Sequence, residues 1–126
     1  MAEFWWNGHG WSTEDADEAL RSSLTADERD AVRELYLFCN KIGSVPQSVT
    51  MLCNLEMLSL HHNEIVELPS FITQLTALKH LSCHSNRLSS ISSDLSQLII
   101  LEHLYLAVNA LSSLPGTLVN LTNLKT

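Results

Sequence analysis

The sequence predicts an α/β solenoid in which each turn adds one short strand to a parallel sheet and returns along the opposite side through a short helical or irregular segment. Three observations predict it: a period that recurs, an apolar alternation at the same place in each period, and an asparagine at a fixed distance behind it. Cut at Val32, Leu55, Leu78, Leu101 and Leu124, the chain gives steps of 55−32, 78−55, 101−78 and 124−101, each equal to 23 residues.

Stacked on that period, the repeats open VRELYLFCNKIGSVP, LEMLSLHHNEIVELP, LKHLSCHSNRLSSIS and LEHLYLAVNALSSLP. The apolar pairs Leu35/Leu37, Leu58/Leu60, Leu81/Cys83 and Leu104/Leu106 have the period-two spacing of a short strand with one face buried. Behind each pair stands an asparagine at the ninth place, Asn40, Asn63, Asn86 and Asn109. Its amide both donates and accepts, so it can satisfy backbone groups that a turn leaves buried. Later apolar residues such as Leu68, Ile72 and Leu75 return along the far side to fill the core from behind. The proline after the fourteenth place suits an irregular or helix-initiating segment rather than a central strand.

Each repeat fits L-x-x-L-x-L-x-x-N-x-L-x-x-L-P followed by x-x-L-x-x-L-x-x, and on those residues the chain resembles the leucine-rich-repeat family over residues 32–126. The length and the Leu-Pro pair are similar to the intracellular subgroup of Ras-associated and cell-polarity scaffolds. The resemblance implies a right-handed horseshoe with the parallel sheet on its concave face, and a binding role without chemistry. The third repeat departs from the motif with Cys83 for a strand leucine and Ser92 for the proline. Cys83 is small and apolar enough to sit in the core, which makes this repeat the loosest expected.

The expected organisation is an acidic, Trp-rich N-terminal cap over residues 1–31 and a repeat domain over 32–126, with a fifth repeat opening at 124 and left incomplete. Terminal repeats of a solenoid bury one face only when something covers it. Ser12-Thr13-Glu14-Asp15 can start a helix through Ala16, Ala19, Leu20 and Leu24, and Thr25-Ala26-Asp27-Glu28 is a capping box leading into Val32. The Asp and Glu residues in both first turns complement the helix dipole. Phe4, Trp5, Trp6 and Trp11 are expected to cover the flank of the first repeat or of the cap helix, with a hydrophobic docking arm as the alternative. The chain stops at Leu124-Lys125-Thr126 without a capping helix, which points to a fragment of a longer protein or an unusually short one. Self-association through that uncapped edge or through the Trp-rich arm is the other expectation.

Charge is uneven. Residues 1–31 hold eight acidic and two basic residues (−6), residues 32–126 six acidic and five basic (−1), for a total of −7. That leaves no basic patch for nucleic acid or an anionic membrane. No stretch reaches the ~20 apolar residues of a membrane span and no signal peptide is evident. Cys39, Cys53 and Cys83 form no Cys-x-x-Cys pair, which fits reduced thiols and a cytoplasmic location. Asn120-Leu121-Thr122 matches a glycosylation acceptor, but the repeat itself generates that triplet.

The third, fifth and seventh places of each repeat point out of one sheet face. They read Glu34, Met57, His80, His103; Tyr36, Ser59, Ser82, Tyr105; and Phe38, His61, His84, Ala107, with Cys39, His62, Ser85 and Val108 beside them at the turn. The expected partner contacts are Tyr36, Phe38, Met57, His61, His80, His84, His103 and Tyr105: amphipathic, moderate in size and neutral near pH 7.

Metal binding is weighed against this. His61 with His84, and His80 with His103, sit on adjacent strands ~4.8 Å apart, but the two pairs lie roughly 13 Å apart along the strand and cannot share an ion. A pair alone lacks the further ligands zinc takes, unless the turn bends Cys39 or His62 inward. A Cys39–His62 nucleophile pair has no orienting carboxylate or oxyanion donor. The reading is therefore a non-enzymatic module that binds another protein, with no cofactor, metal or catalytic residue. The alternative is the recognition part of a kinase, GTPase or ubiquitin ligase. Neighbouring histidines that charge together would repel, so acidification is expected to weaken either the partner or the fold.

Overall fold

Five three-residue strands, β1 (Glu3–Trp5), β2 (Glu34–Tyr36), β3 (Met57–Ser59), β4 (His80–Ser82) and β5 (His103–Tyr105), form one parallel sheet in sequence order. The computed structural model describes residues 3–125, so residues 1, 2 and 126 of the two expected segments lie outside the described residues. Pairing is in register with the repeat: Glu34, Met57, His80 and His103 are successive partners, as are Leu35, Leu58, Leu81 and Leu104.

Behind the sheet the chain returns through four 3₁₀ helices, η1 (Gln47–Met51), η2 (Ser70–Gln74), η3 (Ser93–Gln97) and η4 (Gly116–Asn120). Pro46, Pro69 and Pro115 sit at the N-caps of η1, η2 and η4, where the missing N–H costs nothing. In the third repeat Ser92 replaces proline and caps η3 differently, its hydroxyl accepting from the Asp94 backbone N–H at 3.2 Å.

Between sheet and return segments lies one core. Val32, Leu35, Leu37, Ile42, Val49, Leu55, Leu58, Leu60, Ile65, Leu78, Leu81 and Leu88 are fully buried, and Cys83 takes its strand place among them at 0% exposure. Burial pushes its thiol up to about 12, so it is an inert apolar filler rather than a nucleophile. Toward the last repeat the cover thins: Leu106, Leu111 and Leu118 are half-buried, while Leu114 and Val119 are exposed.

The asparagines act as a ladder. Asn63 accepts from the Ile42 N–H (3.1 Å) and donates to the Leu37 and Leu60 carbonyls (both 2.9 Å), tying its own turn to the one before. Asn86 bonds Ile65, Leu60 and Cys83 in the same way, and Asn109 bonds Leu88, Cys83 and Leu106.

The N-terminal segment differs from a purely helical cap, because it carries a strand of the same sheet. β1 pairs with β2 through Glu3–Glu34, Phe4–Leu35 and Trp5–Tyr36. Asn40 reaches back to it as the other asparagines do, accepting from Trp11 N–H (3.0 Å) and donating to the Trp6 carbonyl (2.7 Å). Phe4, Trp6 and Trp11 therefore occupy the fourth, sixth and eleventh places of a further repeat and pack on the core. They are built into the solenoid and do not form a free arm. The return segment of this repeat is α-helical, α1 (Thr13–Ser23) and α2 (Ala26–Ala31), each opened by a complete capping box from Ser12 or Thr25. Ala16, Leu20 and Leu24 are its buried residues.

One backbone feature recurs at the eighth place. Cys39, His62, Ser85 and Val108 all have φ between 54° and 57°, and Gly8 holds the same place at 67°. A left-handed conformation is costly for L residues and most so for a β-branched one. Val108 is 75% exposed, so its side chain gains little in return. Val108→Asn is expected to raise stability by about 1 kcal/mol, read as a higher denaturation midpoint in urea at unchanged slope.

Candidate functional site

On the open face of the sheet the side chains gather against one another and stay partly exposed. All eight residues expected from the rows reach it, with Tyr105 exposed and the other seven half-buried. They do not form one continuous surface. In the fifth-place row the small Ser59 and Ser82 separate Tyr36 from Tyr105, three strand spacings or about 14 Å apart.

The larger group lies at the N-terminal end and begins with a residue outside the rows expected from the sequence. Trp5, 53% exposed, stacks on Tyr36 with ring centroids 3.8 Å apart and planes within 10°. Tyr36 meets Phe38 edge-on at 6.3 Å. Phe38 stacks on His61 at 4.4 Å, and His61 stacks on His84 at 4.5 Å. Parallel pairing brings equivalent side chains to ~4.8 Å, the spacing at which flat rings stack, so register builds the three stacked pairs, and the edge-on Tyr36–Phe38 step along one strand joins them. The sequence signal for Trp5 was the fit of Phe4, Trp6 and Trp11 to the leucine places of the motif, with Gly8 at the left-handed eighth place.

Carboxylates hold the polar tips of the rings. The Trp5 indole N–H donates to Glu3 Oε2 at 3.2 Å and the Tyr36 hydroxyl donates to Glu34 Oε2 at 2.5 Å. Burial, then the Glu34 bond, push the Tyr36 hydroxyl up to about 12, so it remains a donor throughout the physiological range.

The smaller group is His80, His103 and Tyr105. His80 and His103 stack at 4.6 Å, with Glu102 within ligand reach of both. Lys125 holds that carboxylate at 3.2 Å and lowers its pKa.

His62, expected to lie beside the surface, joins the first group. Its ring is exposed at the left-handed eighth place, yet a nitrogen from each of His61, His62 and His84 lies within 4.8 Å of the others. Desolvation by burial, followed by the His84 and His62 charges, lowers His61 from 6.5 to about 4, and burial lowers His84 as well. Both rings are neutral at pH 7. A folded pKa below the unfolded 6.5 means that the unfolded chain binds the proton first as pH falls. Stability is therefore complete above pH 6.5 and is lost progressively toward pH 4. In chelator-treated buffer, denaturation midpoints are expected to fall between pH 6.5 and 5, and less steeply in His61→Phe, which keeps the stack without the titrating ring. Equal slopes would contradict this.

The Cys39 thiol is exposed at the turn, and Cys53 lies elsewhere with its thiol 3.6 Å from Asp30. No helix among the described residues is long and apolar enough to cross a membrane.

Comparison with known proteins agrees with this architecture. Residues 53–97 match the family model described as Leucine Rich repeats (2 copies). A solved leucine-rich-repeat protein of Leptospira interrogans aligns over 81% of this chain at 34% identity and a TM-score of 0.73, and the alignment covers 26% of that structure. A chain in the octameric complex of Latrophilin 3, Unc5D and the leucine-rich repeats of FLRT2 aligns over 99% at 17% identity and a TM-score of 0.50, covering 52% of that chain. The second likeness concerns the fold alone. This chain thus spans about a quarter of one matching structure and about half of the other. A search of curated proteins returned no match. With four motif copies in register, a parallel sheet of one strand per turn, an asparagine ladder and these matches, the chain belongs to the leucine-rich-repeat family.

Proposed function

We propose that the chain is a non-enzymatic docking module that binds a protein partner across its sheet face, anchored on the ladder of Trp5, Tyr36, Phe38, His61 and His84. The observation that carries this is the ladder itself: five rings in continuous contact on an open face, through three stacked pairs and one edge-on step, held by neighbouring strands and set among few charges. Rigid aromatic side chains of this kind dominate protein interfaces because they cover large area at little entropic cost. A face without a basic patch favours a protein surface with mixed apolar and polar contacts over a highly charged polymer. Leucine-rich-repeat domains typically act in this way, and one matching chain comes from a protein complex.

The test is affinity capture with the wild type and with a Tyr36→Ala, Phe38→Ala, Tyr105→Ala variant shown to be folded by circular dichroism. Proteins held by the wild type and lost by the variant support sheet-face docking. An unchanged set moves the site to the flanks or the far side.

The length of the matching structures favours a second reading, recognition within a longer signalling protein such as a kinase, GTPase or ubiquitin ligase. Sequencing the coding region on both sides distinguishes the two. A cytoplasmic location is likewise proposed, supported by three free thiols, two of them exposed.

A further inference from the structure

We propose that His61, His62 and His84 form a three-imidazole site for a borderline divalent cation of the zinc class, at the rim of the sheet face. Three observations meet there. A nitrogen of each ring lies within 4.8 Å of the others. His61 Nδ1 is buried and has no hydrogen-bond partner, a condition that calls for a ligand because a buried polar atom otherwise goes unsatisfied. The third ring comes from His62 at the left-handed eighth place, with φ 55°. Without it, His61 and His84 would be a pair, too few for zinc.

The donor set selects the ion. Neutral imidazoles suit Zn²⁺, Cu²⁺ and Ni²⁺ and are poor ligands for Ca²⁺ or Mg²⁺, which take oxygen. Three protein ligands leave one tetrahedral position open, and His62 is solvent-exposed, so the open position faces water. Binding requires a small rearrangement. At Zn–N distances of about 2.1 Å the nitrogens must close to about 3.4 Å, and the His61 and His84 planes, now within 8° of parallel, must turn to aim their in-plane lone pairs at one point. Rotation of the half-buried His84 ring supplies this, giving up its 3.3 Å contact with the Ser85 hydroxyl and its stack on His61. The His80, His103 and Glu102 group is the weaker candidate, because Lys125 already occupies the Glu102 carboxylate.

The experiment is calorimetric titration of Zn²⁺ into the chelator-stripped full chain at pH 7.5, with His62→Asn and His80→Asn as variants. Asparagine tolerates the left-handed conformation, so His62→Asn removes the imidazole without disturbing the turn. The expected result is a saturable site of one ion per chain that His62→Asn weakens roughly tenfold or more and His80→Asn leaves unchanged. Absence of saturable binding overturns the proposal, and so does binding lost in His80→Asn but kept in His62→Asn. Circular dichroism of each variant separates loss of ligand from loss of fold.

Discussion

Removing residues 1–31 is expected to abolish cooperative unfolding of the remaining chain. In a solenoid each repeat is stabilised chiefly by its neighbours, so the loss of one turn exposes the whole flank of the next. Here the lost turn includes the β1 strand that pairs with β2, the half-buried Phe4, Trp6 and Trp11, and the buried Ala16, Leu20 and Leu24. Val32, Leu35, Leu37, Ile42 and Val49, now fully buried, would meet water on one side. At roughly 1.5–3 kcal/mol for each large side chain returned to water, a few such exposures equal the whole stability of a domain this size. The shortened chain should show retained far-ultraviolet dichroism at most, with a broad thermal transition. Trp5→Ala in the full chain should change stability little, because that ring lies on the open face. A sharp transition in residues 32–126 within a few degrees of the full chain would show that the segment is dispensable.

The second large effect is expected at the asparagine ladder. Asn63→Ala leaves the buried Ile42 N–H without a partner and takes one bond each from the Leu37 and Leu60 carbonyls, which keep bonds from Asn40 and Asn86. An orphaned buried donor costs about 1–3 kcal/mol and each weakened carbonyl somewhat less, for a loss of about 3 kcal/mol or roughly 10 °C in Tm. Asn63→Asp should be at least as damaging, since a carboxylate keeps the acceptor and turns the two carbonyl contacts repulsive. Thermal denaturation of both variants checks the magnitude. A loss below about 1 kcal/mol would mean that water replaces the amide without cost.

The repeat domain was legible because its physics is periodic. A leucine that must face the core once per turn, and an amide that must reach the preceding turn, recur at fixed spacing. The first strand escaped because its turn breaks that spacing: an α-helix replaces the 3₁₀ segment, so the next repeat begins 31 residues later instead of 23. Aromatic rings stand in its leucine places. Its ninth place holds His9, and the Trp6 carbonyl of that turn is bonded instead by Asn40 of the next repeat. The sheet-face rows could be read from alternation alone, but their division into two groups depends on Ser59 and Ser82, whose short side chains leave Tyr36 and Tyr105 unlinked. The approach of His62 to His61 and His84 was left open by the sequence, because it depends on the geometry of the turn. Cys, His, Ser and Val at the eighth place give no hint of a left-handed backbone, and only Gly8 carries that signature.

Docking of partners on the sheet face can be read out by site-specific photocrosslinking. A benzophenone amino acid would be placed at Met57 or Tyr105 on the open face, and at Val66 or Ile99, exposed residues outside its rows. A partner captured by the wild type should crosslink from Met57 and Tyr105 and not from Val66 or Ile99. Crosslinks confined to Val66 or Ile99 would contradict the claim.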